Sequence, residues 1–200
     1  MKKNFISFSL LLMLALSLIG CHSLSKDYHR YLERSGELPI PASTDLKTGY
    51  YITEDTMNHK YSFRAFTSGI ANKWIVEFGQ MLDVTLQSDS VQRAFGKLAK
   101  QGDEKAEGKL LIFDLENYEF SEFTAHIALN VKLMDESDLI LDRTYRSRGQ
   151  PQGGKMFWGG AMATKHAVHQ STQYALNDIM IELIEDINEL SSIKNDSSIS

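Results

Sequence analysis

Between residues 123 and 133 every odd position is apolar (Phe123, Ala125, Ile127, Leu129, Val131, Leu133), while the even positions are Thr124, His126, Ala128, Asn130 and Lys132. A period of two sustained this long predicts a strand with one face in a core and the other wet or covered by polar groups. Residues 110–120 predict the strand before it and residues 139–148 the strand after it, with Asp135-Glu136-Ser137-Asp138 as the connecting turn. The three form an antiparallel meander. Upstream, Tyr50-Tyr51-Ile52 and residues 61–66 predict two further strands. Ser68 then caps a predicted helix in which Ile70, Trp74, Phe78, Met81 and Leu82 recur at helical spacing, widened by Ile75, Val76 and Leu86. Residues 88–108 are polar and turn-rich, interrupted by Val91, Phe95 and Leu98. A long final helix is predicted from Val168, Thr172, Ala175, Ile179, Leu183, Ile187 and Leu190, flanked by Leu176, Met180 and Ile184. The expected class is α+β, an antiparallel sheet (three-stranded meander plus N-terminal strands) with two helices packed on one face, since each apolar face then finds one partner.

Outside this block the pattern weakens. Residues 21–48 predict a tether: they hold Pro39 and Pro41 together with Gly36 and several serines, and a flexible chain of this length spans roughly 30 Å. Within them Leu24, Tyr28, Tyr31 and Leu32 fall at helical spacing, with Ser25 available as a cap and Gly36 as a stop. A short amphipathic helix there has three fates open to it: docking on the domain, lying on a membrane, or fraying. The folded domain is expected over residues 49–190, with 191–200 a polar tail.

The first 20 residues have another organisation. Lys2 and Lys3 precede an apolar run from Phe5 to Ile19, followed by the small residue Gly20, the layout of a secretory signal peptide. Leu18-Ile19-Gly20-Cys21 resembles the bacterial lipobox, in which the cysteine is acylated and becomes the new N-terminus, and Cys21 is the single cysteine of the chain. Removing two lysines with the signal leaves 19 basic and 26 acidic side chains, a formal charge of −7. Such a protein is a poor nucleic-acid binder and a poor candidate for purely electrostatic adhesion to anionic lipid, so attachment is expected through the acyl chains. Acylation of Cys21 also removes the thiol needed for a disulfide, a cysteine nucleophile or a thiolate metal site.

Candidate chemistry is sparse. His166 and His169 are spaced to share a metal on one helix face, yet no acid stands at the spacing of a zinc-protease helix, and an edge-of-core role suits His169 better. His126 is expected on the polar face of its strand. Gly153-Gly154 and Gly159-Gly160 bracket Lys155-Met156-Phe157-Trp158, without the Gly-Lys-Ser/Thr ending of a phosphate loop or the βαβ context of a dinucleotide site. Residues 149–160 are therefore expected as a glycine-rich link. Met156, Phe157 and Trp158 either form an apolar tip offered to a partner or fold under the sheet as core. Arg143, Arg146, Arg148 and Lys155 make a local basic patch, suited to an acidic partner or a lipid phosphate, or to keeping a sheet edge soluble. The partner-binding candidates are Arg146, Arg148, Lys155, Met156, Phe157 and Trp158.

A lipobox followed by strand, helix, three strands and a long helix resembles the small envelope lipoproteins of Gram-negative bacteria. In layout, residues 108–115, 123–141 and 161–187 are similar to the YajG-like lipoproteins and to the auxiliary lipoproteins of ABC-type transport systems. The resemblance implies a non-enzymatic accessory component of an envelope transport or assembly system, bound to the membrane through its N-terminal lipid and to an envelope protein partner, without cofactor or nucleic acid. Of functional residues it carries over only the lipidated Cys21. Two other readings stand beside it, a carrier of an apolar ligand such as a lipid and an activator of a cell-wall enzyme. In the enterobacterial sorting rule Asp after the cysteine retains a lipoprotein at the inner membrane. Here His22 occupies that position, which implies the outer membrane with the domain facing the periplasm.

Overall fold

The computed structural model describes residues 21–44, 46–64, 73–102 and 109–197, and the side chains of Cys21, His22, residues 155–159 and residues 193–197 fall outside that description. Its elements run β1 (Cys21–Ser23), a 3-10 turn (Ser25–Asp27), α1 (Tyr28–Ser35), β2 (Thr48–Ile52), α2 (Glu54–Asn58), β3 (Lys60–Phe63) and β4 (Lys73–Glu77). They continue with α3 (Phe78–Leu86), α4 (Asp89–Phe95), β5 (Leu98–Lys100), β6 (Lys109–Ser121), β7 (Thr124–Asp135), β8 (Asp138–Arg148) and α5 (Gly153–Ser197). The class is α+β, as the alternation predicts.

The antiparallel meander forms as expected: β6 pairs with β7 and β7 with β8. Ala125, Ile127, Leu129, Val131 and Leu133 are all buried, against half-buried His126, Asn130 and Lys132. The pattern breaks at its start. Glu122 and Phe123 both have positive φ, 49° and 61°, making the tight two-residue hairpin turn that matches strand twist. Phe123 is thereby exposed, while Thr124 is buried.

The sheet itself is mixed rather than antiparallel. Its order is β5-β2-β6-β7-β8, with β2 parallel to both neighbours. The reason lies in the connection: β2 reaches β6 only after α2, β3, β4, α3, α4 and β5. A crossover that long returns the chain in the same direction, whereas a hairpin would reverse it. A second sheet, ordered β1-β4-β3, packs beside it, with β1 parallel and β3 antiparallel to β4.

Three expected elements change. Trp74 and Val76, predicted as helix, lie in β4 and alternate buried against Lys73, Ile75 and Glu77, and the helix starts only at Phe78. Two apolar residues at i and i+2 fit a short strand as well as one edge of a wide helical stripe. Ser68 and Ile70 lie outside the described residues. The turn-rich stretch 88–108 contains α4, ended by Gly96 at φ 75°, and the short β5. The link 149–160 is helical from Gly153 onward, with Gly160 (φ 59°, ψ −146°) kinking α5 in a conformation open in practice only to glycine.

The largest departure concerns residues 21–48. Leu24 and Tyr28 are fully buried, and Tyr31 and Leu32 nearly so, packed with α3 and α5 in the main core. Docking, one of the three fates open to the amphipathic helix, is what the fold uses. The rest of the segment is a strap. Gln173 Nε2 donates to Gly36 O (3.1 Å), Asp89 and Ser90 N–H donate to the Glu37 carboxylate (3.0 and 2.6 Å), and Thr44 N–H donates to Ala94 O (2.6 Å). Glu37 thus supplies the negative charge that the N-terminus of α4 favours. The folded unit takes in the segment after Cys21 as well as residues 49–190, and no tether separates Cys21 from it.

Candidate functional site

The residue expected to carry lipid opens a strand. Cys21 stands opposite Lys73, His22 opposite Trp74 and Ser23 opposite Ile75. Leu24 N–H then donates to Ile75 O (2.9 Å), and Glu77 N–H donates to Ser25 Oγ (2.8 Å). These bonds hold the first backbone after Cys21 against β4, where the end of a tether would leave it to water.

Behind this strand α1 crosses α5 through an aromatic and charged contact. Tyr28 stands edge-on to His169 (5.4 Å between centroids), and Tyr31 lies tilted over His169 (5.1 Å) and His166 (6.1 Å). His169 Nε2 lies 2.7 Å from Leu24 O, so the neutral ring donates there to a buried carbonyl. Burial lowers its pKa to about 4; nearby Lys165 and His166 push the same way, and only the Leu24 carbonyl and Asp27 oppose them. His169 is a structural donor to the β1 segment, and among the described residues no His, Cys, Asp and Glu cluster suits a metal. Asp27 bridges Arg30 (2.8 Å) and Lys165, and the Lys165 hydrogen bond holds its carboxyl below the usual range. On the outer side of this contact a groove of about 200 Å³ is lined by Arg30, Arg34, Lys165, His166 and Met162. Neither Arg30, Arg34 nor Met162 stands out in the sequence as a site. The available signal was Arg30 and Arg34 one turn apart on a helix whose other face is Tyr28, Tyr31 and Leu32.

The expected basic patch does not assemble. Arg146 and Arg148 share the open face of the meander, but each meets an acid: Arg146 pairs with Glu116 (2.9 Å) and Arg148 with Glu122 (3.4 Å). Arg143 points to the opposite, helix-covered face, where it pairs with Asp186 (2.7 Å) beside the Tyr145 hydroxyl. Residues facing opposite ways along a strand cannot form one patch. Between Arg146, Arg148, His126 and Glu116 the open face holds a shallow groove of about 500 Å³, and His126 Nε2 is buried there without a hydrogen-bond partner among the described residues. Lys155, Met156, Phe157 and Trp158 lie on the first helical turns of α5 and not on a loop, and their side chains lie outside the described residues. The start of that segment is placed by the β6–β7 hairpin. Gln152 N–H donates to Phe123 O (2.9 Å), and a Cβ on Gly153 would come within 3.2 Å of the Phe123 ring.

A mixed sheet backed by helices, with residues 21–23 forming a strand, gives an α+β architecture in which, among the described residues, buried side chains pack between sheet and helices. A cavity beside Tyr28 and Leu32 measures about 20 Å³, room for a water and far less than a lipid. No family model matches the sequence, and no curated protein matches it. Among solved structures, the crystal structure of protein XCC0632 from Xanthomonas campestris, described as DUF330, is similar: it superposes with a TM-score of 0.50 at 17% identity, covering 80% of this chain and 94% of that one. At that identity the likeness concerns the fold.

Proposed function

We propose that the protein is a non-enzymatic envelope lipoprotein, held in the membrane by acyl chains on Cys21, and that it binds a protein partner as an accessory part of a transport or assembly system. One observation carries the reading: the lipobox cysteine is also the first residue of β1, so the attachment point and the fold meet without intervening chain. An attachment built into a sheet holds the domain at the membrane surface, which suits a stationary accessory better than a shuttling carrier. The filled sheet–helix space supports the same choice. Candidate partner surfaces are the Arg146 and Arg148 face and the α5 segment containing Lys155, Met156, Phe157 and Trp158. His22 after the cysteine favours the outer membrane.

Fatty-acid labelling and membrane fractionation of wild type and Cys21→Ser test the anchor. Label in the wild type and none in the variant is expected, and equal label in both overturns it. Extraction in mild detergent tests the role. A stoichiometric protein is expected to co-purify, whereas a bound lipid detected by mass spectrometry without a protein would replace this reading with ligand carriage.

A further inference from the structure

A cationic groove lies at the end of the molecule that holds Cys21. Trp74, next to the Lys73 that pairs with Cys21, stands opposite Phe63 on β3. The Phe63 ring lies 5.2 Å from that of Phe120, near the β6–β7 hairpin whose tip is Phe123. Gly153 abuts Phe123, so the first turns of α5 lie at this end too. Cys21 therefore shares one end of the molecule with Phe123 (39% exposed), the start of α5 and, one helical turn from Lys165, Met162 (68% exposed). Arg30, Arg34 and Lys165 line the groove beside Met162, against the single acid Asp27, and Arg34 has no acid partner among the described residues. The opposite end carries both signs, Asp135, Glu136 and Asp138 on the β7–β8 turn and Lys47, Lys97 and Lys109 at the starts of β2, β5 and β6, together with exposed Leu139 and Ile140. In a chain of net charge −5, the groove at the Cys21 end thus sets three cations against one acid beside the exposed Met162.

We propose that the Cys21 end seats on the bilayer and that the Arg30–Arg34–Lys165 groove takes the phosphate of an anionic phospholipid headgroup. Arginine suits that ligand because its planar fork meets phosphate oxygens in pairs. Met162 on its rim, and Phe123 elsewhere at the same end, are the apolar contacts that enter the interfacial region. The orientation rests on the reading of Cys21 as the attachment point. The groove does not, because its cations and apolar rim are present whether or not Cys21 is acylated.

The chain from residue 21 onward with Cys21→Ser contains the whole described fold and serves as the probe. In flotation with vesicles of phosphatidylglycerol or phosphatidylcholine at low salt, it is expected to bind the anionic vesicles and ignore the zwitterionic ones. Arg30→Glu with Arg34→Glu is expected to weaken that binding by about 30-fold or more, as loss of two basic side chains near an anionic surface implies. Arg30→Lys with Arg34→Lys, which keeps the charge but not the planar fork, is expected to bind more weakly than the unaltered chain and more tightly than the charge reversal. All four side-chain changes are on exposed helix positions, and an unchanged thermal transition confirms the fold. Equal binding to both vesicle types, no effect of the charge reversal, or displacement by millimolar inorganic phosphate would overturn the lipid site. Because this probe carries no acyl chain, its failure and a failure of fatty-acid labelling are read separately.

Discussion

His169 shows how one side chain ties the segment after Cys21 to the rest of the fold. Its ring is buried between Tyr28 and Tyr31 and donates to the Leu24 carbonyl, so protonation would place a charge in an apolar site. Its pKa falls from the ordinary 6.5 to about 4 in the folded protein. The unfolded chain therefore binds the proton first. Stability from this group is fully present above pH 6.5, declines as pH falls toward 4, and levels off below. The decline is at most about 1.4 kcal/mol per pH unit. Urea titrations at pH 7 and pH 5 are expected to differ by about 2 kcal/mol more in wild type than in His169→Gln, which keeps a donor and does not titrate. An equal pH dependence in the two proteins would remove His169 as the source. Gly149 is a second residue-scale determinant: a Cβ there would fall 1.9 Å from Ser171 O on α5. Gly149→Ala is expected to cost about 1–3 kcal/mol or more in urea, because backbone rather than a flexible side chain must move.

At the scale of elements, β7 gives the sharpest test. Leu129 and Val131 are fully buried, whereas Asn130 and Lys132 lie on the open face. Leu129→Ala or Val131→Ala is expected to lose about 1–4 kcal/mol through transfer and cavity effects. Lys132→Ala should stay near 0.5 kcal/mol, and Asn130→Ala slightly above it, since Asn130 donates to Asp142 (2.8 Å). Similar losses at both pairs would contradict the observed alternation. The meander was legible because its alternation is long and its turns short, so local pattern and pairing agree. β4 was not, because five residues carry too little periodicity to oppose the helix beginning at Phe78. The parallel placement of β2 was equally hidden. Its own residues Tyr50 and Ile52 announce a strand, but its direction depends on a connection of more than fifty residues. Of the candidate site, the motif singles out Cys21 in the sequence, but its place at the head of β1 was not legible there. The Arg143–Asp186 and Arg146–Glu116 pairs were not, because their partners lie 43 and 30 positions away.

For the molecule as a whole, the strap formed by residues 21–47 is an integral layer. Its prolines and serines suggest a linker, yet Ile40, Ala42 and Leu46 pack on the core and Asn188 Nδ2 donates to Ser43 O (3.1 Å). A chain beginning at Thr48 would expose the surfaces covered by Leu24, Tyr28, Tyr31 and Leu32. With about 1.5–3 kcal/mol for each large apolar side chain buried, that loss rivals the whole stability of an ordinary domain. Such a truncation is expected to lack a cooperative urea transition. A truncated protein melting like the intact one would show that the strap is dispensable.

The junction of Cys21 with β1 also sets how far the protein can act. With Cys21 acylated, only its side chain and the lipid linkage would stand between the fold and the membrane. Its reach would then be bounded by the size of its own fold, in which β6, at 13 residues, spans roughly 43 Å. A partner resident in the same membrane meets it in two dimensions at a raised effective concentration. A partner in an opposing membrane must cover any remaining gap with its own chain.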